Sequence, residues 1–287
     1  MDKDVLALIK KASQSFSKGQ RQIAKYILES YDKAAFMTAG KLGRTVGVSE
    51  STVVRFATEL GYDGYPEMRK ALQDMIRNRL TAVQRIEVAK EQIGREDILH
   101  SVLAADIEKL QMTIGEIDHE SFDRAVEAIL SAKTVYIVGM RSSTSLASFM
   151  GFYLNQILDN VHLVHDTSVS EVYEQVFRIH EGDVFIGISF PRYSAKTRMA
   201  MEFAKSTGAT CIGITDGPNS PFVGLADIVL CAKCDMVSFL DSLVAPMSLI
   251  NALIVAIGYQ CPEKLEETYH KLENIWTTYA VYEHHDQ

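Results

Sequence analysis

DVFIGISFPRYSAKT, residues 183–197, changes its periodicity halfway along. Val184, Phe185, Ile186 and Ile188 make a short apolar run of the kind that fills a strand buried on both faces. Ser189 and the turn Phe190-Pro191-Arg192-Tyr193 follow. From Ser194 the spacing of Ala195, Met199 and Phe203 is helical. A strand entering a helix through a serine-bearing turn directs hydroxyls, backbone N–H groups and a positive helix end at one spot, which favours an anion. In this loop the residues expected to meet that anion are Ser189, Arg192, Ser194 and Thr197.

Outward from this stretch the chain alternates. Residues 135–138, 161–164, 183–188, 210–214 and 227–230 read as strands, and 145–158, 194–207 and 242–259 as helices. Ser168-Val-Ser-Glu171 has the form of a capping box that opens a further helix. Such alternation predicts a doubly wound α/β domain with a five-stranded parallel sheet. Ligands of such sheets sit beyond the carboxyl ends of the strands, where the strand order reverses. The loop after the first strand, Gly139-Met-Arg-Ser-Ser-Thr144, also carries polar groups at such an end. It lacks GxGxxG, because Arg141 and Thr144 stand where glycines would, and there is no Walker A motif. Gly139, Arg141, Ser142 and Ser143 suit a phosphate or carboxylate better than an adenine cofactor. The plainer alternative is that Ser142, Ser143 and Ser194 only cap helices.

The first third of the chain is helical. Val5, Leu8, Ile9, Ala12 and Phe16 form one stripe, and Ser17-Lys-Gly-Gln20 is a capping box before Ile23, Ala24, Ile27, Leu28 and Tyr31. Thr38 caps a short helix bearing Ala39, Leu42 and Val46, which Gly47 ends. Ser49 caps a second helix whose inner stripe is Val53, Phe56, Ala57 and Leu60, and Gly61 ends it. Two short helices joined by a tight glycine-bearing turn make a helix-turn-helix. Its outer first turns carry Ser49, Glu50, Ser51, Thr52 and Arg55, the positions that read a major groove. Lys41, Arg44 and Thr45, with Arg69 and Lys70 further on, suit the phosphate backbone.

Charge divides along the same line. Residues 1–80 hold 14 Lys+Arg against 9 Asp+Glu, whereas the remainder holds 15 against 28. Only the N-terminal part has an electrostatic reason to approach nucleic acid. No apolar run reaches the roughly 18 residues of a membrane helix, so no membrane partner is expected. The N-terminus has no signal-peptide pattern, and four cysteines argue against a disulfide framework, which together predict a cytoplasmic protein. Cys231-Ala-Lys-Cys234 is half of a zinc site at most and reads as ordinary thiols; no metal and no cofactor are expected.

The run from Thr38 to Leu72, with Gly47-Val48-Ser49, Thr52-Val53-Val54-Arg55-Phe56 and Leu60-Gly61-Tyr62, resembles the N-terminal domain of RpiR-type bacterial transcriptional regulators. That resemblance implies operator binding as part of a dimer or tetramer. Residues 120–260 resemble the sugar isomerase (SIS) domain through Val135 to Gly139 with Ser143, Asp183 to Ser189, Ala204-Lys-Ser-Thr-Gly-Ala209, Ile212-Gly-Ile-Thr215 and Leu225-Ala-Asp227. It implies a phosphosugar held by Ser143, Ser189 and Ser194, with Ser142 nearby. The chain departs from the family pattern at Arg141, in place of a second glycine, and at Pro191-Arg192, in place of a Ser-Gly pair. Either the ligand carries extra negative charge, or the arginines close the site by pairing with an acidic residue.

The expected architecture is an all-α helix-turn-helix domain over 1–77, a helical linker over 78–94 with a hinge, and a SIS-like phosphosugar-binding domain over 95–287. Within it, Ile98, Val102, Leu103, Ile107, Leu110 and Ile114 form one apolar stripe, and Phe122, Val126, Ile129 and Leu130 another. The expected function is a DNA-binding transcriptional regulator whose operator binding responds to a phosphosugar or related anionic metabolite. Its partners are double-stranded operator DNA, that effector, and a second copy in a homodimer or homotetramer, with the apolar helix 243–257 a candidate interface, although burial within its own domain explains it equally well. The alternative is a sugar-phosphate isomerase, which needs an acid–base pair. Glu171, Glu174, His162, His165 and Lys196 lie near strand ends, but each has a structural explanation, and His284-His285-Asp286 sits in a polar tail.

Overall fold

The computed structural model describes residues 5–77, 83–86, 97–234 and 240–282. The chain divides into two units, Met1–Ala105 with Asp235–Ser242, and Asp106–Cys234 with Leu243–Gln287. Most of the 78–94 linker, with its hinge, and the His284–Asp286 tail lie outside the described residues.

The first unit is built from α1 (Val5–Ala12), α2 (Lys18–Glu29), α3 (Tyr31–Ala34), α4 (Ala39–Val46), α5 (Glu50–Glu59) and α6 (Tyr65–Arg77). The predicted caps are in place. Ser17 and Gln20 form a reciprocal capping box, Thr38 Oγ1 accepts from the Lys41 N–H, and Ser49 Oγ accepts from the Thr52 N–H. Gly47 ends α4 at φ 78°, and Gly61 follows α5 at φ 87°, values at which a side chain would be strained. Val5, Ile9, Phe16, Ile23, Ile27, Leu42, Val53 and Phe56 share one core. Tyr65 closes it from α6, donating its hydroxyl proton to Met37 O at 2.9 Å. Burial pushes that phenol up to about 12.

The second unit is organised by its sheet. Among the described residues it has five parallel strands, β1 (Val135–Gly139), β2 (Val161–Val164), β3 (Val184–Ile188), β4 (Thr210–Thr215) and β5 (Ile228–Cys231), in the order β2-β1-β3-β4-β5. Val135 pairs with Val184 and Gly139 with Ile188. Every residue of β1 and β3 is buried, because alternate side chains enter two different cores. Ile137, Ile186 and Ile212 face α8 (His119–Ser131), α9 (Thr144–Ile157) and α12 (Val244–Gln260). Tyr136, Val138 and Phe185 face α10 (Val169–Val176) and α11 (Ala195–Ser206).

Two expectations about apolar faces need correction. In α11 the buried positions are Thr197, Ala200, Met201 and Ala204, whereas Ala195 is exposed and Met199 and Phe203 are only half-buried. Thr197 and Met201 lie over Gly187 of β3, where the missing side chain leaves room for them. In α7 (Ile98–Glu116) the predicted stripe points outward: Leu103, Ile107 and Ile114 are 53 %, 56 % and 74 % exposed, and only Leu110 packs on the core. Polar bonds orient the helix instead, since the Lys233 N–H donates to Thr113 Oγ1 at 2.9 Å and the Lys233 ammonium pairs with Glu116. Own-domain burial takes one face of the 243–257 helix, since Ala245, Leu249, Ile250, Leu253, Ile254 and Ile257 of α12 are all buried, while Val255 is 53 % exposed.

One helix escaped the sequence reading. α13 (Pro262–Thr278) starts at Pro262, buries none of its residues, and forms with α9 and α12 an apolar groove of about 650 Å³. Its apolar residues are interrupted by paired charges such as Glu267 and Lys271, which hid the stripe. Among the described residues no single helix is long and apolar enough to cross a membrane.

The turn between α4 and α5 has one steric requirement. A Cβ on Gly43 would lie 2.8 Å from Val48 O, a backbone atom that cannot swing away. Gly43→Ala is therefore expected to destabilise the first unit by roughly 1–3 kcal/mol, measured by urea unfolding followed through circular dichroism.

Candidate functional site

The face expected to read DNA follows from the burial of α5. With Val53, Phe56 and Ala57 inward, Glu50, Ser51 and Arg55 are exposed, as are Ser49 before the helix and Lys41, Arg44 and Thr45 on α4; Thr52 is half-buried. The Ser49 hydroxyl lies 2.9 Å from that of Ser51 and 2.8 Å from that of Thr52, and Arg55 Nε donates to Ser51 O at 3.4 Å. These groups prearrange one another and leave the ends of Ser51 and Arg55 at the surface. Val54, 40 % exposed on the same face, was missed by a reading that looked for polar residues; an apolar side chain there suits a thymine methyl. Arg69, expected on the backbone, is half-buried beside Tyr65, whose pKa its charge lowers against the effect of burial. Lys70 is exposed.

At the carboxyl ends of the strands, the order β2-β1-β3 makes β1 and β3 the pair at which the chain turns in opposite directions, and both predicted loops leave from that point. The first begins at Gly139, where a Cβ would overlap Ser143 O and lie 2.9 Å from Ala147 Cβ. Only glycine lets the loop fold back this tightly. Arg141 to Ser143 then form a single 3-10 turn. Ser143 is buried, and its hydroxyl neither caps a helix nor makes a hydrogen bond among the described residues. Ser142 and Arg141 are exposed, and Thr144 Oγ1 donates to Gly139 O at 3.0 Å.

The second loop is pinned at both ends. The Ser189 N–H donates to Ile214 O at 3.0 Å, while the buried Ser189 hydroxyl accepts from the Ser194 N–H at 3.0 Å. Ser194 Oγ accepts from the Thr197 N–H at 3.3 Å and so caps α11 as the simpler reading allowed. Thr197 is fully buried in the first turn of α11, with no partner for its Oγ1 among the described residues. Arg192 is exposed. Neither the Arg141 nor the Arg192 guanidinium is in an ion pair among the described residues, although the Arg141 charge acts on the Asp166 carboxylate.

Asp166 joins this site to β2 and was not foreseen. One carboxylate oxygen accepts from the Arg141 N–H at 2.9 Å and the other from the Lys196 ammonium at 2.9 Å. Lys196, read from sequence as a solvated helix residue, also donates to Thr167 O. The only sequence signal for Asp166 is an acidic residue two places past the end of a strand. Glu171 completes the capping box with Ser168, Glu174 is exposed, and His162 stacks on Tyr136 at 5.2 Å, on the strand itself rather than in the loop. His165 lends its N–H to Gln175 at 2.8 Å. Cys231 is the last residue of β5, and among the described residues no cluster of His, Cys, Asp and Glu has the makings of a metal site.

The Lys196 ammonium, followed by the Arg141 N–H, holds the Asp166 carboxyl below the usual carboxylate range. A depressed carboxyl stabilises the folded loop above the ordinary pKa, and this contribution is lost as pH falls through the folded value. Asp166→Ala is therefore expected to speed hydrogen exchange at the Arg141 amide at neutral pH. Acidifying the parent protein through the lowered carboxyl pKa should likewise reduce the protection of that amide relative to its intrinsic exchange rate at the same pH; equal exchange rates in parent and variant at neutral pH would remove the bridge.

Residues 3–79 match the family model of the helix-turn-helix domain of the rpiR family, and residues 128–256 match that of the SIS domain. A curated relative, an uncharacterized HTH-type transcriptional regulator of Caldanaerobacter subterraneus, is 25 % identical over 279 residues, covering 94 % of this chain and 95 % of its own. The sugar isomerase domain of an RpiR transcription factor from Sphaerobacter thermophilus is 28 % identical with a TM-score of 0.59, over 62 % of this chain and 99 % of that one. The NanR protein of Vibrio vulnificus, solved with ManNAc-6P, shares the fold at 22 % identity and a TM-score of 0.56, over 96 % of this chain and 98 % of its own. With the helix-turn-helix in its first unit and the five-stranded parallel sheet in its second, the chain belongs to the RpiR-type transcriptional regulators, which join such a DNA-binding domain to a SIS domain.

Proposed function

We propose that this regulator binds its operator through Lys41, Arg44, Thr45, Ser49, Glu50, Ser51, Thr52 and Arg55, and that a phosphosugar or similar small anion at the β1/β3 loops modulates that binding. The observation that carries the effector reading is the meeting of two hydroxyl-bearing loops and the start of α11 at the reversal of strand order. Gly139, Arg141, Ser142, Ser143, Ser189, Arg192, Ser194 and Thr197 make up the site. Thr197 is buried there with a hydroxyl that no group among the described residues satisfies, and buried hydroxyls ordinarily have partners; the Ser143 hydroxyl beside it caps no helix. Support for the ligand class comes from the NanR protein, whose fold is shared and which was solved with ManNAc-6P.

The domain is a sensor rather than an enzyme in this reading. Isomerisation needs a positioned base and acid, whereas Glu171 is committed to a capping box and Lys196 to Asp166. Residues 1–77 act as the DNA-binding domain, 78–94 as the connection and 95–287 as the effector domain, in a cytoplasmic homodimer or homotetramer. Two copies fit the logic of paired operator half-sites. Effector binding would then alter the relative placement of two DNA-binding units, a coupling that works equally in both directions.

Two substitutions test the two halves. Arg55→Ala should weaken operator binding by more than about tenfold, given roughly 1–3 kcal/mol for a base contact; unchanged affinity in a fluorescence-anisotropy titration would remove Arg55 from the interface. Ser143→Ala removes a hydroxyl with no partner among the described residues, so thermal stability and operator affinity should hold. The response of operator binding to sugar phosphates should disappear, and a response at the same ligand concentration would place the effector elsewhere.

A further inference from the structure

The loops at the β1/β3 reversal carry more positive charge than one phosphate requires. Arg141 stands at φ 58°, in the left-handed region, where every side chain meets a steric cost that glycine avoids. Its loop is held through its backbone, because the Arg141 N–H donates to Asp166 Oδ2 at 2.9 Å. Glycine at this position could make the same bond. The guanidinium itself is exposed, without an ion pair among the described residues. Its charge adds only a minor attraction to Asp166, whose carboxylate Lys196 already pairs, which is little return for a conformation that favours glycine.

Arg192 repeats the pattern on the adjacent strand end. It lies in the turn between buried Ser189 and the cap Ser194, is exposed, and has no ion pair among the described residues. The nearby acids are engaged elsewhere. Asp166 uses one oxygen on the Arg141 N–H and the other on Lys196, while Asp216 accepts from the Tyr193 hydroxyl at 2.7 Å. Gly139 and Ile188 are partners in neighbouring strands, and neighbouring strands run about 5 Å apart. Two long side chains that leave such neighbouring ends can reach one small ligand.

We propose that the effector is a phosphosugar bearing a second anionic group, a carboxylate or a further phosphate, and that Arg141 and Arg192 bind that second group. The inference rests on the reading of these loops as the effector site. In it the phosphate occupies the hydroxyls of Ser143 and Thr197 and the start of α11, where dipole and N–H groups favour it. The guanidiniums select for charge, since each forms a strong charge-assisted pair with an oxyanion and only a weak bond with a neutral hydroxyl. Arg141 and Arg192 are thus specificity-determining residues.

Calorimetric titration of the full-length protein with two matched pairs of probes tests this. One pair is glucose 6-phosphate and 6-phosphogluconate; the other is fructose 6-phosphate and fructose 1,6-bisphosphate. At equal ionic strength the doubly anionic member of at least one pair should bind about tenfold or more tighter, and the pair that discriminates tells a carboxylate from a second phosphate. Arg141→Gly should collapse that ratio toward one without lowering the melting temperature of the free protein, and Arg192→Ala should do the same should the first variant fold poorly. Equal affinities within both pairs, or a ratio that survives both substitutions, would overturn the second-anion inference. The effector site itself would still stand if Ser143→Ala abolished the binding. No binding of any probe at millimolar concentration would instead overturn the underlying reading along with the inference.

Discussion

Hydrogen bonding between β1 and β3 is the constraint from which the ligand-binding half of the molecule follows. These strands are not consecutive, yet they pair from Val135–Val184 to Gly139–Ile188. β2 is thereby sent to one side and β4 to the other, so the two connections diverge and leave the carboxyl ends of β1 and β3 uncovered. Both strands are buried on both faces, which makes their register costly to change: a slip of one residue would exchange the two cores. The positions of Ser143, Ser189 and Thr197 depend on that register.

Local chemistry then refines what topology places. Gly139 lets the first loop fold back onto its own strand, and the Ser189–Ser194–Thr197 series ties the second loop to the start of α11. Asp166 links them, joining the backbone of Arg141 to Lys196 across the ends of three elements. The DNA-binding unit shows the same economy. Caps and glycines hold a short turn, and the outer residues of α5 are ordered by bonds among themselves.

The errors of the sequence reading share a cause. Periodicity reports that a helix has an apolar face but not which body covers it. α7 was expected to pack with its stripe inward, yet of that stripe Leu110 alone packs on the core, beside buried Lys109 and Thr113. α11 buries a face about one residue away from the apolar spacing of Ala195, Met199 and Phe203, with Thr197 and Met201 set over Gly187 of β3. α13 went unseen since its charges interrupt its apolar pattern.

The sequence by itself determined the elements, the caps, the helix-turn-helix and the parallel sheet, because each rests on residues close together in the chain. Ser17 with Gln20, Thr38, Ser49, Ser168 with Glu171, Gly47 and Gly61 all act within one turn of helix, and spacing alone reveals them. The strand ends of the candidate site were legible for the same reason. What only the tertiary structure decided was contact between distant segments: the order of the strands, the bridge from Asp166 to Arg141 and Lys196, the unsatisfied Thr197 hydroxyl, and the left-handed backbone that Arg141 occupies. Those depend on which surfaces are buried together and which backbone groups approach across the sheet, and no periodicity along the chain encodes either.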